Sequence, residues 1–85
     1  MPRSTRTEAY AIMTQQLQQL RTNQGLTQRQ LALRLGKPQA FVSTIESGAR
    51  RIDVIEFCAL ARVLGANPMT LFAEVVRRLP DEIAI

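Results

Sequence analysis

Histidine and tryptophan are absent from this 85-residue chain, cysteine occurs once, and only four aromatic rings are present. Without histidine the chain lacks the commonest general base and the commonest metal ligand. Cys58 has no second thiol for a disulfide and no histidine for an activated pair. It sits in the apolar run VIEFCALARVL, where a buried free thiol in a reducing compartment is the simplest reading. No zinc-ligand spacing, phosphate-cradling glycine loop or dinucleotide fingerprint occurs. The adjacent acids Asp81-Glu82 read as a solvated pair near an end. No enzyme activity, metal or cofactor is therefore expected. No apolar run approaches the roughly 18 residues of a membrane span. The opening MPRSTRTEAYAIM has no continuous apolar region, so neither a signal peptide nor a membrane partner is expected.

What is present suits one small domain spanning residues 1–85. Hydrophobic residues make up 46% of the chain, ordinary for a globular protein. With so few rings, Leu, Ala, Ile and Val must build the core. Acidic residues are scarce in one half only. Residues 1–51 carry eight basic side chains against Glu8 and Glu46, a net +6, whereas residues 52–85 carry a net −2. A basic half attracts polyanions through counterion release.

The patterning is helical throughout, without sustained strand alternation. Tyr10, Met13, Leu17 and Leu20 recur at steps of three and four, which predicts a helix from about Thr7 to Asn23, stopped at Gly25. Thr27 and Gln30 form a capping box for a short second helix that faces Leu31, Ala32 and Leu35 inward and ends at Gly36. A third begins near Pro38, placed in its first turn, points Val42 and Ile45 inward, and ends at Gly48. Asp53 and Glu56 cap a fourth, with Val54, Phe57, Leu60, Ala61 and Leu64 as its stripe. Asn67-Pro68 opens a fifth that runs to about Leu79, with Pro80 beyond it. The tail, residues 80–85, is short.

Helix, tight turn and helix on a basic surface is a geometry that lets one helix enter the DNA major groove. Leu20-Arg21, GLTQRQLALRLG, QAFVSTIESG and LARVLGANPMTLF together resemble the phage-repressor and Cro-type (XRE) helix-turn-helix family, over about Tyr10 to Phe72. The resemblance implies an all-α, five-helix, lambda-repressor-like domain with a helix-turn-helix at about Thr27 to Ser47. It also implies sequence-specific binding of double-stranded DNA, commonly as a homodimer, and a cytoplasmic, nucleoid-associated location.

By that resemblance Gln39, Ala40, Ser43 and Thr44 face the groove, with Lys37 in reach of a guanine or a phosphate. Gln pairs with adenine N6 and N7, and Ala40 meets a thymine methyl. Gln28, Arg29, the Gly48 amide, Arg50 and Arg51 are expected on phosphates. Ser43 and Thr44 have the alternative of bonding back to their own helix, and Arg51 of lying along the domain surface. Phe41 reads as packing rather than base contact. Arg21 and Glu46 are implied to form a partly buried ion pair between the first and third helices.

The chain departs from the family pattern at Lys37-Pro38, where many relatives carry a capping Ser or Thr, and at Ala40, where many carry Gln or Ser. Direct base readout is therefore sparse, which leaves a share of recognition to DNA shape. The fifth helix offers Leu71, Phe72, Val75, Val76 and Leu79, more apolar residues than one core-facing stripe needs. Leu71, Val75, Val76 and Leu79, with Ile83 and Ile85, are expected to form a dimer or partner surface. That surface also suits a protein-interaction module, such as an antitoxin that binds a protein partner.

Overall fold

A computed structural model describes residues 7–85. Arg3 and Arg6, part of the basic half, lie outside the described residues. Five helices follow in order: α1 (Glu8–Asn23), α2 (Gln28–Leu35), α3 (Gln39–Glu46), α4 (Val54–Val63) and α5 (Pro68–Arg78). Among the described residues there are no strands, and no single helix is long and apolar enough to cross a membrane.

Local side-chain chemistry sets the helix starts. The Thr7 hydroxyl accepts the Tyr10 N–H, which caps α1. At α2, Thr27 Oγ1 accepts the Gln30 N–H at 3.1 Å while Gln30 Oε1 accepts the Thr27 N–H at 2.8 Å. Asp53 and Glu56 make the same reciprocal pair at α4. Asn67 Oδ1 caps α5, which has Pro68 in its first turn. The third helix departs from expectation. Pro38 occupies the N-cap, one position before the helix, and no side chain caps α3 there.

The turn between α2 and α3 is three residues long, Gly36 to Pro38. Gly36 adopts φ +69°, its N–H donates to the Leu33 carbonyl and the Lys37 N–H to the Ala32 carbonyl. This pair of bonds satisfies the last carbonyls of α2 while the chain reverses. A Cβ placed on Gly36 would meet nothing within 4 Å. The requirement for glycine is thus one of backbone conformation, not of space.

The core is a single cluster drawn from every helix: Leu17, Leu31, Ala32, Val42, Ile45, Phe57, Leu60, Ala61, Leu64, Leu71 and Val75. Such aliphatic burial stabilises a chain this small, and truncating Leu31 to Ala is of the kind that costs about 2–5 kcal/mol. Two placements correct the sequence reading. Leu71 and Val75 are 8% and 4% exposed, so they finish the monomer core and leave the expected partner surface. Val54 is 73% exposed, because the first residue of α4 projects past the end of the buried stripe.

Candidate nucleic-acid interface

The first turn of α3 projects away from the core. Gln39 and Ala40 are exposed, and Ser43, one turn further along the same face, is half-buried. Their inward neighbours Val42 and Ile45 anchor the helix in the core cluster. Thr44 is half-buried, and its Oγ1 donates to the Ala40 carbonyl at 2.6 Å. Ser43 Oγ reaches the same carbonyl at 3.4 Å. Both hydroxyls thus bond back to the helix, and with their protons so directed each offers a base an acceptor. Gln39 offers an amide with both a donor and an acceptor end, the group suited to adenine.

The second helix approaches with its N-terminus. An α-helix leaves its first N–H groups without a carbonyl ahead of them. At α2 the Thr27 side chain takes the Gln30 N–H and the Thr27 carbonyl takes the Leu31 N–H. The amides of Gln28 and Arg29 precede these in a terminus that favours anions. Arg29 is exposed and Gln28 is half-buried.

A buried ion pair positions this end. Arg21 Nε and Nη2 donate to the two carboxylate oxygens of Glu46 at 2.7 and 3.0 Å, with side-chain exposures of 10% and 6%. Arg21 Nη1 also donates to the Leu26 carbonyl, just before α2. Gln28 Nε2 joins the group by donating to Glu46 Oε1 at 2.9 Å. The side-chain amide expected on a phosphate therefore spends one donor inside the protein. One carboxylate ties α1, the α2 start and the end of α3 together.

The loop after α3 is arranged differently. The Gly48 N–H donates to the Ile45 carbonyl at 3.1 Å as part of the helix end, so this amide is turned inward rather than toward a phosphate. Arg50 is held bidentate by Glu56, Nη1 to Oε1 at 3.0 Å and Nη2 to Oε2 at 2.8 Å. Its guanidinium lies 4.6 Å from the centre of the Phe41 ring, and the Lys37 ammonium lies 5.5 Å from the same ring. The bond from Arg50 holds the Glu56 carboxyl below its ordinary range, helped by the Asp53 N–H, and the same bond raises Arg50. Arg51 is exposed and lines a groove with Thr7, Tyr10 and Phe72.

Three positioning residues escaped the sequence reading. The Tyr10 hydroxyl accepts the Ile52 N–H at 2.7 Å and donates to the Arg50 carbonyl at 3.3 Å, which pins the loop to α1. Gln24 Nε2 donates to the Leu64 carbonyl at 2.8 Å and joins the ends of α1 and α4. Glu56 was legible as a cap but not as the partner of Arg50.

A helix-turn-helix family model matches residues 17–71, more than half of the chain. The chain belongs to the XRE-type helix-turn-helix family. It is 40% identical to a solved XRE-family like protein from Pseudomonas syringae pv. tomato str. DC3000, over 85% of this chain and 88% of that one, with a TM-score of 0.79. No curated protein matches it. Family membership makes this XRE-type protein a DNA-binding transcription regulator with double-stranded DNA as its partner.

Proposed function

We propose that the protein is a transcriptional repressor that binds a near-palindromic operator as a homodimer. The observation that carries this reading is the outward face of α3, Gln39, Ala40 and Ser43, set a three-residue turn beyond α2, whose N-terminus favours anions. In this arrangement α3 lies in the major groove. Gln39, Ala40, Ser43 and Thr44 meet base edges and Lys37 meets a guanine or a phosphate. The amides and side chains of Gln28 and Arg29 seat a phosphate that fixes the register. Arg51 reaches the backbone only if its side chain leaves the α1 and α5 surface.

The domain measures 35 × 26 × 21 Å. Two copies side by side set their recognition helices about 34 Å apart, one turn of B-DNA. The face of α5 available for pairing is Met69, Phe72 and Val76, all exposed and spaced along one stripe, with half-buried Leu79 at its edge. Val76→Asp is expected to convert a dimer to monomer in sedimentation while the helical signal is kept. Val75→Asp, by contrast, puts a charge into the core and unfolds the chain.

The same apolar face, continued by exposed Ile83 and Ile85, supports a second reading in which the partner is a different protein, as in an antitoxin. Selection of bound duplexes from a random pool at near-physiological salt separates the two. An inverted repeat with fixed spacing is the expected product. Recovery of no motif, with binding that vanishes as salt rises, overturns operator recognition and favours the protein partner.

A further inference from the structure

The basic residues around α3 are not equally available. Lys37 and Arg50 flank one ring, Phe41, on the helix that enters the groove. Arg50 is three-tenths to four-tenths exposed, at 39% of its side chain, so it lies at the surface beside the reading face. Yet both arms of its guanidinium are directed at the two oxygens of Glu56, and Nη1 is shared with the Arg51 carbonyl at 3.1 Å. The carboxylate is itself fixed. Glu56 Oε1 accepts the Asp53 N–H in the α4 capping box, so the acid cannot swing away without breaking that half of the box. The Arg50 carbonyl is pinned in turn by the Tyr10 hydroxyl. Backbone, ring, carboxylate and cap all hold one cation in place.

We propose that Glu56 tunes the affinity and salt dependence of the DNA-binding surface: by clasping Arg50 against Phe41 it withholds one cation from the phosphate backbone and lowers sequence-independent affinity. The inference rests on the reading that α3 enters the groove. Its physical basis is that a phosphate contact strengthens binding to every sequence alike and steepens its dependence on salt, so withholding one lowers both without altering base readout. A phosphate that captured Arg50 would have to displace a bidentate carboxylate and leave that negative charge facing DNA. The clasp therefore costs the protein non-specific affinity while leaving Gln39, Ala40 and Ser43 untouched. The guanidinium also lies over the Phe41 ring, 4.6 Å from its centre, a contact that favours its held position.

Glu56→Gln isolates the effect, because glutamine keeps the oxygen that caps α4 and loses only the charge. The test measures binding of the full chain to random-sequence duplex DNA between 50 and 200 mM salt. Glu56→Gln is expected to bind more tightly and to steepen the slope of log K against log salt by about 0.9, one phosphate contact. Across that salt range its affinity then falls about threefold more than that of the parent. The double variant Arg50→Ala/Glu56→Gln is expected to return to the parental slope. An unchanged slope in Glu56→Gln overturns the proposal. So does a double variant that stays steep, which would mean that loss of the acid acts through space without Arg50. A double variant that falls about one contact below the parent shows Arg50 already on a phosphate and overturns it too. If neither the parent nor Glu56→Gln binds duplex DNA at 50 mM salt, the reading of α3 fails, and this inference with it.

Discussion

The two flanks of the recognition helix are built on opposite plans. Before α3, at the start of α2, the donors are backbone amides whose direction is set by a capping box of residues three apart. After α3, in the loop from Gly48 to Asp53, the donors are a glycine amide turned back on its own helix and an arginine folded onto an acid. The difference teaches where an outward donor is dependable. A helix N-terminus leaves its first amides without a carbonyl ahead of them, and at α2 the Thr27 hydroxyl takes only that of Gln30. A long cationic side chain goes to the best acceptor in reach, and in this loop that acceptor is Glu56. The first flank therefore keeps outward amides, and the second has its cation neutralised by an acid.

The largest test removes the support of the first flank. Glu46 holds Arg21 with both oxygens and Gln28 with one of them. Glu46→Ala leaves the Arg21 guanidinium buried without its partner, and the expected loss is about 3–5 kcal/mol in urea unfolding. That is a large share of the roughly 5–15 kcal/mol of a small domain. Glu46→Gln is expected to lose less, because an amide oxygen still accepts from Arg21. A loss below about 1 kcal/mol in Glu46→Ala would mean that the three elements are held by the core alone.

The next test concerns the face between the flanks. Gln39→Ala is expected to weaken operator binding by about 1–3 kcal/mol and to relax preference at one base pair. Its salt slope should be that of the parent, because no phosphate contact is lost. Preference retained at every position would move the reading face off Gln39.

Much of this organisation was legible because it is local. The helix starts at Thr7, Thr27, Asp53 and Asn67 follow from hydroxyl, carboxylate and amide side chains two or three residues ahead of the N–H they accept. Gly36 follows from a reversal that only a left-handed residue makes cheaply. What was not legible depends on distance. Tyr10 and the loop it pins are 40 or more positions apart, and nothing in either segment announces the other. Arg50 and Glu56 are six apart, but Glu56 already had a sufficient local use as a cap. In α5 the apolar residues cover more than one face. Periodicity alone does not decide whether Leu71 and Val75 or Phe72 and Val76 meet the core, and the packing of α4 against α5 makes that choice. The Phe57 and Phe72 rings meet edge to face at 5.9 Å, at the border between the buried and exposed stripes.

The smallest expected effect bears on the second flank. The carboxyl of Glu56 is held low chiefly by its bonds to Arg50, with the Asp53 N–H and the positive charge of Lys37 acting in the same direction. A carboxylate whose folded pKa lies below its unfolded value contributes stability above the unfolded pKa, about 4.3 for Glu, and loses it as pH falls through the folded value. The difference in stability between the parent and Glu56→Gln should therefore be fully present at pH 7 and fade below about pH 4. It should also shrink in high salt, because the pair is partly exposed and its charges are screened. Urea unfolding of both proteins between pH 3 and 7 reads it directly. No difference at any pH would assign the role of Glu56 to the capping bond, which glutamine keeps, and not to the clasp on Arg50. The two flanks would then share one principle, a local cap, and the contrast between them would rest on Gly48 alone.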